Sequence, residues 1–264
     1  MNLLEFALLA ATGLFCGVIN TLAGGGSLIA VPLLIFLGIP PTVANATNRP
    51  ALVAQNIAAV AGFWRGGIFA DAEFRRQLVF IGMMALPGAA LGAAMGYLLH
   101  SDVRGDEVFQ ALIACILVVV ALRPLWQGFR AVRRRSAAIS SQTDSPAWLR
   151  GLLFFALGVY MGFIQAGIGF VFMAVLSSRL AWPIARINAA KVTIVGACNL
   201  VAMVIYALTI SINWKAAGAL VLGQTLGGYL GSRISLGAAE IVLKRIYVGL
   251  LLAFALALVA RAFS

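Results

Sequence analysis

Long apolar blocks separated by clusters of Gly, Pro and charge fill this chain. With those clusters as punctuation, the first half divides into apolar segments near 3–22, 27–38, 44–64, 76–99 and 108–126, and the second near 151–167, 169–181, 187–209, 215–235 and 240–262. Most approach the length of about 20 residues that a helix needs to cross a bilayer. Ten such segments predict an all-α, polytopic integral membrane protein. Segments 27–38 and 169–181 are short, each follows a Gly-rich break, and half-helices and tilted spans are both open for them.

Polar residues inside the apolar blocks repeat. Gly24, Gly26, Pro40, Asn45 and Asn56 recur at one constant offset as Gly167, Gly169, Pro183, Asn188 and Asn199. Gly13 and Gly17 recur as Gly158 and Gly162, and the series Gly88, Gly92, Gly96 as Gly223, Gly227, Gly231. The chain therefore reads as a duplication: a first membrane repeat over 1–128, a linker over 129–148 and a second repeat over 149–264. Small residues four apart let helices approach closely, either within the chain or between two copies, which makes a homodimer a candidate assembly.

Composition supports the bilayer as solvent. Apolar residues make up 62% of the chain and charged ones 10%, against roughly 25% charged in soluble domains, and the mean hydropathy is +1.02. The formal charge of +11 sits between the apolar segments and in the basic, then Ser-rich linker FRAVRRRSAAISSQTDSPAW, so it sets orientation and does not indicate a nucleic-acid partner. A cytoplasmic linker places the 65–76 loop inside and the acidic 100–107 loop outside. Opposite orientations for the two halves then leave only Arg49, Arg104, Lys215 and Arg261 of the 19 Lys and Arg outside or near an outer end. The expectation is two inverted repeats with both termini outside. Glu5, with no Lys or Arg ahead of the first apolar run, is unlike the start of a cleaved signal, so the first segment is expected to be retained.

The carboxylates Glu5, Asp71, Glu73, Asp102, Asp106, Glu107, Asp144 and Glu240 all fall in loops or at segment ends, and His100 is the only histidine. That weakens a cation path, a carboxylate proton relay and any enzyme. Cys16, Cys115 and Cys198 are scattered singly, so neither a metal site nor a disulfide framework is indicated, and no cofactor is expected. What remains inside the membrane is neutral or basic. Asn20 and the run Gly24, Gly25, Gly26, Ser27 end one segment and open the next, leaving helix-start N–H groups suited to an anion. Gln165, Gly167 and Gly169 occupy the corresponding place in the second half. Asn45, Asn48 and Asn56 share one helical face, as do Asn188, Lys191 and Asn199, with Thr47 beside the first set. Arg49 and Lys191 give each half one cation at similar depth, as interfacial side chains that snorkel or as anion ligands.

Residues 13–48, GLFCGVINTLAGGGSLIAVPLLIFLGIPPTVANATN, resemble the signature of the TauE/SafE family of bacterial anion transporters, G-x-x-x-G…GGGG-x-x-x-x-P-x-L…G-x-P-x-x-A-x-A-T. The likeness extends over essentially the whole chain, with AGGGS and QAGIGF as the departures. The resemblance implies a multi-pass permease of the bacterial inner membrane that moves small sulfur-containing or organic anions such as sulfite or sulfonates, commonly outward. In that reading the anion sits between the repeats, contacted by N–H groups around Gly24 to Ser27 and Gly167 to Gly169, oriented by Asn20, Asn45, Thr47, Asn48, Gln165 and Asn188, and balanced by Lys191 or Arg49. A passive anion channel and a non-transporting membrane assembly subunit are the competing readings. Accessibility tagging is expected to find both termini outside and the linker inside; a cytoplasmic N-terminus would refute the inversion.

Overall fold

In the computed structural model, residues 2–102, 104–116, 146–180 and 182–236 are described. They form helices α1 (Leu3–Leu22), α2 (Ser27–Phe36), α3 (Pro41–Arg65), α4 (Ala72–His100), α5 (Ala147–Phe163), α6 (Ile168–Arg179), α7 (Ile184–Thr209) and α8 (Trp214–Leu236). A 3-10 turn covers Ile68–Ala70, residues 105–116 are helical, and no strand occurs among the described residues. The fold is all-α, and the eight labelled helices fall close to eight of the ten expected segments. The ninth, 108–126, is described only to 116, while the linker up to 145 and the tenth segment, 240–262, lie outside the described residues.

Local chemistry sets the helix boundaries. Asn2 and Glu5 close a reciprocal capping box at the start of α1. Pro40 and Pro183, the matched prolines, precede α3 and α7 with nearly equal backbone angles, φ −52°, ψ 144° and φ −56°, ψ 150°. Gly24 and Gly167, also matched, both take positive φ, +83° and +73°, a conformation that ends one helix before the next begins. At 10 and 12 residues, α2 and α6 reach only about 15 and 18 Å, roughly half the hydrocarbon thickness. They are half-helices, and α2 is buried along nearly its whole length, as broken backbone at membrane depth requires.

Burial is inverted relative to a water-soluble protein. Arg49, Asn48, Asn188 and Gln224 are fully buried, while Leu208, Leu226 and Leu222 are 82%, 63% and 57% exposed. Lipid, not water, is the solvent that makes such a surface stable. Among the described residues α1, α4 and α7 are each long and apolar enough to cross a membrane. Away from their ends, the long helices α3 and α8 carry Asn45, Asn48, Arg49, Gln55, Asn56 and Gln224 inward.

The halves pack reciprocally. The first helix of each lies against the fourth of the other, α1 on α8 and α5 on α4, and α3 packs on α8 as α7 packs on α4. Glycines make both seams. A Cβ at Gly17 would lie 2.5 Å from the Gln224 carbonyl oxygen, and Cβ atoms at Gly88 and Gly92 would overlap the carbonyls of Phe155 and Val159. The GxxxG residues are therefore helix-packing positions within one chain. Helices α3 and α7 run antiparallel, since Thr47 meets Asn213 beyond the end of α7 and Arg49 meets Asn199.

Loops add two ties. Asp71 caps α4 through the N–H groups of Glu73 and Phe74 and pairs with Arg186 of α7 at 2.9 Å. Its carboxyl is held below the usual carboxylate range, chiefly by the Phe74 N–H, with Glu73 N–H and the Arg186 guanidinium adding to it. At another loop Thr42 Oγ1 lies 2.6 Å from Asp106 Oδ1 and 2.7 Å from His100 Nδ1, joining the start of α3 to the end of α4 and the 105–116 helix.

The seams make a stability prediction. Gly92→Val, placing atoms where the Val159 carbonyl lies, should lower stability by about 3 kcal/mol, whereas Gly218→Ala, with open space at its Cβ position, should change it by less than about 1 kcal/mol and in the stabilising direction. Thermal unfolding in detergent measures both, and equal effects would refute the seam.

Candidate functional site

The two glycine breaks meet back to back. Gly169 N–H donates to the Gly24 carbonyl at 3.1 Å, and a Cβ added to either residue would overlap the backbone of the other. Helices α2 and α6 both start at this crossing, with Gly26 and Gly167 as N-caps. The amides of Gly24, Gly26 and Gly169 are already donating, to Ile19 O, Asn20 Oδ1 and Gly24 O. Gln165, just before the second break, adopts φ +55°, uncommon for a residue with a side chain. Tyr160 braces that break by donating its hydroxyl to the Ala166 carbonyl at 2.6 Å.

Each break ends a helix and frees its last carbonyls, which lipid cannot satisfy. A cation from the opposite half takes them. Lys191 of α7 donates from Nζ to Thr21 O at the end of α1 (2.7 Å) and to Asn188 Oδ1 (3.1 Å), with Met173 Sδ at 3.6 Å. Arg49 of α3 donates from Nη1 to Met161 O (2.8 Å) and from Nη2 to Gly162 O (2.7 Å) at the end of α5, and also reaches Asn199 Oδ1 at 3.0 Å. Its guanidinium lies 5.1 Å from the Tyr206 ring. Both cations also complement the negative end of the helix they hold. Neither snorkels: Arg49 is 0% and Lys191 2% exposed.

Beside the crossing is a small cavity of ≈ 20 Å³, lined on its polar side by Asn20, Ser27, Gln55, Asn56, Gln165 and Lys191, and by the backbone of Gly24 and Gly169. That volume admits about one water-sized sphere. Lys191 is its one charged lining residue among the described residues. No cluster of His, Cys, Asp and Glu able to hold a metal occurs among the described residues.

A family model, sulfite exporter TauE/SafE, matches residues 9–258. The chain belongs to this family. A probable membrane transporter protein of Sinorhizobium sp (ORF9) is 27% identical over 98% of this chain and 93% of its own length. A probable membrane transporter protein of Haemophilus influenzae is 26% identical over 92% and 89%, and YfcA of Escherichia coli K12, also a probable membrane transporter protein, is 23% identical over 89% and 82%. No solved structure matches. The TauE/SafE chain is thus a multi-pass membrane transporter.

Of the residues singled out from the sequence of this TauE/SafE transporter, Asn20, Gly24, Ser27, Gln165, Gly169 and Lys191 meet at the cavity. Gly25, Gly26 and Gly167 belong to the same two breaks, and Asn188 is one hydrogen bond away, held between Lys191 and Ser235 Oγ. Asn45, Thr47, Asn48 and Arg49 line no part of it. Asn45 donates to Phe163 O, Thr47 accepts from Asn213 N–H, and Asn48 accepts from Gln224 Nε2. Asn56, expected on the polar face but not as a ligand, also lines the cavity, and Gln55 is a polar lining residue that sequence reasoning did not single out at all. Its signal was its spacing: seven residues after Asn48, two turns on, it shares that polar face.

Glycine chemistry separates conformation from contact. Gly38 has φ +84° with nothing near its Cβ position, whereas Gly24 has φ +83° and a neighbouring backbone there. Gly38→Ala should cost about 1 kcal/mol and keep transport, while Gly24→Ala and Gly169→Ala should cost about 3 kcal/mol or more and remove it. Unfolding temperature and flux of the purified variants check this, and a mild Gly169→Ala variant would refute the crossing.

Proposed function

We propose that this transporter moves a small sulfur-containing or organic anion, in the outward direction, through the cavity at the glycine crossing. The observation that carries the reading is Lys191, a buried ammonium lining a polar cavity at the crossing where α2 and α6 begin. Helix N-termini and a cation both favour negative charge, and the low dielectric around them strengthens the effect. The bacterial inner membrane is the expected location. Alternating access is favoured over an open channel, because a water-sized cavity is narrower than any conducting anion path. The antiparallel run of α3 and α7 and the reciprocal packing of the halves fit inverted repeats that rock against one another about the crossing.

Within this mechanism the two cations have different work. Lys191 can exchange Thr21 O or Asn188 for the anion and return to them when it leaves. Arg49 does not line this cavity and clamps the end of α5.

Flux into liposomes with a panel of sulfite, taurine, sulfoacetate and small carboxylates tests the reading. Lys191→Gln, measured on the folded fraction, should lower saturable anion flux about tenfold or more, the loss of one charge-assisted contact. Arg49→Gln should instead lose about 3 kcal/mol of stability, because the α5 carbonyls lose their donors. Unchanged flux in Lys191→Gln would overturn the site assignment, and absence of flux for every anion in the wild-type protein would overturn the transport of anions itself.

A further inference from the structure

Hydrogen bonds around the cavity fix which atoms face it. Gly26 N–H, a backbone donor, points at Asn20 and so identifies the accepting atom as Oδ1, at 2.7 Å. Asn20 Nδ2 must then be the group that faces Gln55, and it donates to Gln55 Oε1 at 2.9 Å. Gln55 is left with Nε2, a donor that bonds no protein atom among the described residues. On the next residue, Asn56 Nδ2 donates to the Leu52 carbonyl at 2.7 Å. Asn56 is left with Oδ1, an acceptor with no protein donor among the described residues. Gln165 adds a carboxamide whose Oε1 has no partner. The three side chains are 1%, 3% and 3% exposed.

A buried amide oxygen without a partner, as at Gln165, is costly, and three carboxamides lining one cavity make an arrangement that a ligand completes. A bare oxyanion offers only acceptors. It could satisfy Gln55 Nε2 and Lys191, yet it would press its lone pairs against Asn56 Oδ1. We propose that Gln55 and Asn56, with Gln165, are the specificity element of the cavity, and that the ion it takes carries a hydrogen-bond donor of its own. The anionic oxygens lie toward Gln55 Nε2 and Lys191, and the donor lies toward Asn56 Oδ1. A monoprotonated oxyanion and a small anion with a hydroxyl or amino group share this chemistry. Entry of either requires Gln165 to swing, which its unbonded Oε1 does not oppose.

This inference rests on the anion-transport reading and can fail independently of it. The test uses proteoliposomes of the full chain with 2-hydroxyethanesulfonate and propane-1-sulfonate, which differ by a hydroxyl in place of a methyl. Sulfite over a pH series then separates a monoprotonated oxyanion from a hydroxyl-bearing one. Wild-type protein is expected to move 2-hydroxyethanesulfonate, or sulfite in its monoprotonated form, at least about tenfold faster than propane-1-sulfonate. Asn56→Leu should bring the rates to within about twofold by removing the acceptor. Gln55→Glu keeps the oxygen that Asn20 requires and turns the cavity-facing donor into an anionic acceptor, so it should lower flux of every anion tenfold or more. Wild-type rates that do not distinguish donor-bearing from donor-free anions, or a Gln55→Glu variant with unchanged flux, overturn the inference and leave anion transport standing. No flux of any probe, with no probe raising the unfolding temperature, overturns both. Should Asn56→Leu fail to fold, Gln55→Glu and the wild-type selectivity decide.

Discussion

Everything in this structure hangs on the approach of two backbones at Gly24 and Gly169. Without side chains at these positions, two broken helices can cross in contact, with one N–H···O bond tying them. Any Cβ there forces the crossing apart. The crossing in turn makes two helices end in the middle of the protein, and the carbonyls exposed by those ends cannot be left to lipid. Lys191 and Arg49 answer that need from opposite halves. A break in one half thus creates the binding site for a cation from the other, and the halves are held together by the groups that their own breaks leave unsatisfied.

Seen this way, the two cations begin as structural equivalents and diverge by one residue of register. Lys191 stands at the position matching Asn48, and Arg49 one further along the helix, a turn of about 100°. That rotation carries the guanidinium away from the cavity and over the Tyr206 ring, leaving Asn48 to pair with Gln224. The two halves match closely in their helices, prolines and glycines, while the polar lining is one-sided. Counterparts of Gln55 and Gln165 are Cys198 and Leu22, both buried and apolar, so the polar lining lies on one side of the crossing and apolar packing on the other.

Much of this was legible in the chain. The glycine and proline spacing located the helix breaks and starts, because positive φ and a missing N–H are local requirements that few residues meet. The stripe Asn45, Asn48, Asn56 marked a buried polar face correctly. The division of labour along that face was not legible. Whether Arg49 meets an anion or the end of α5 depends on where α5 ends in space, 112 residues away, and no spacing within α3 encodes it. Gln55 was passed over for a related reason: a single amide on a helix gains meaning only when Asn20, on another helix, has already taken its oxygen.

The same break that creates the fold also gives the cavity its polarity. Gly26 N–H is free to meet Asn20 because Gly24 has turned the chain out of α1 and α2 has not yet begun. From that donor the order of atoms is forced, Asn20 oxygen toward the backbone, Asn20 nitrogen toward Gln55, and Gln55 nitrogen toward the open side. Each amide can make its bond in only one orientation once its predecessor is set, and burial removes the water that would otherwise tolerate the reverse. A glycine required for close approach therefore also determines, two side chains away, that the cavity presents a donor at Gln55 beside the acceptor of Asn56, and so which partner chemistry can complete it.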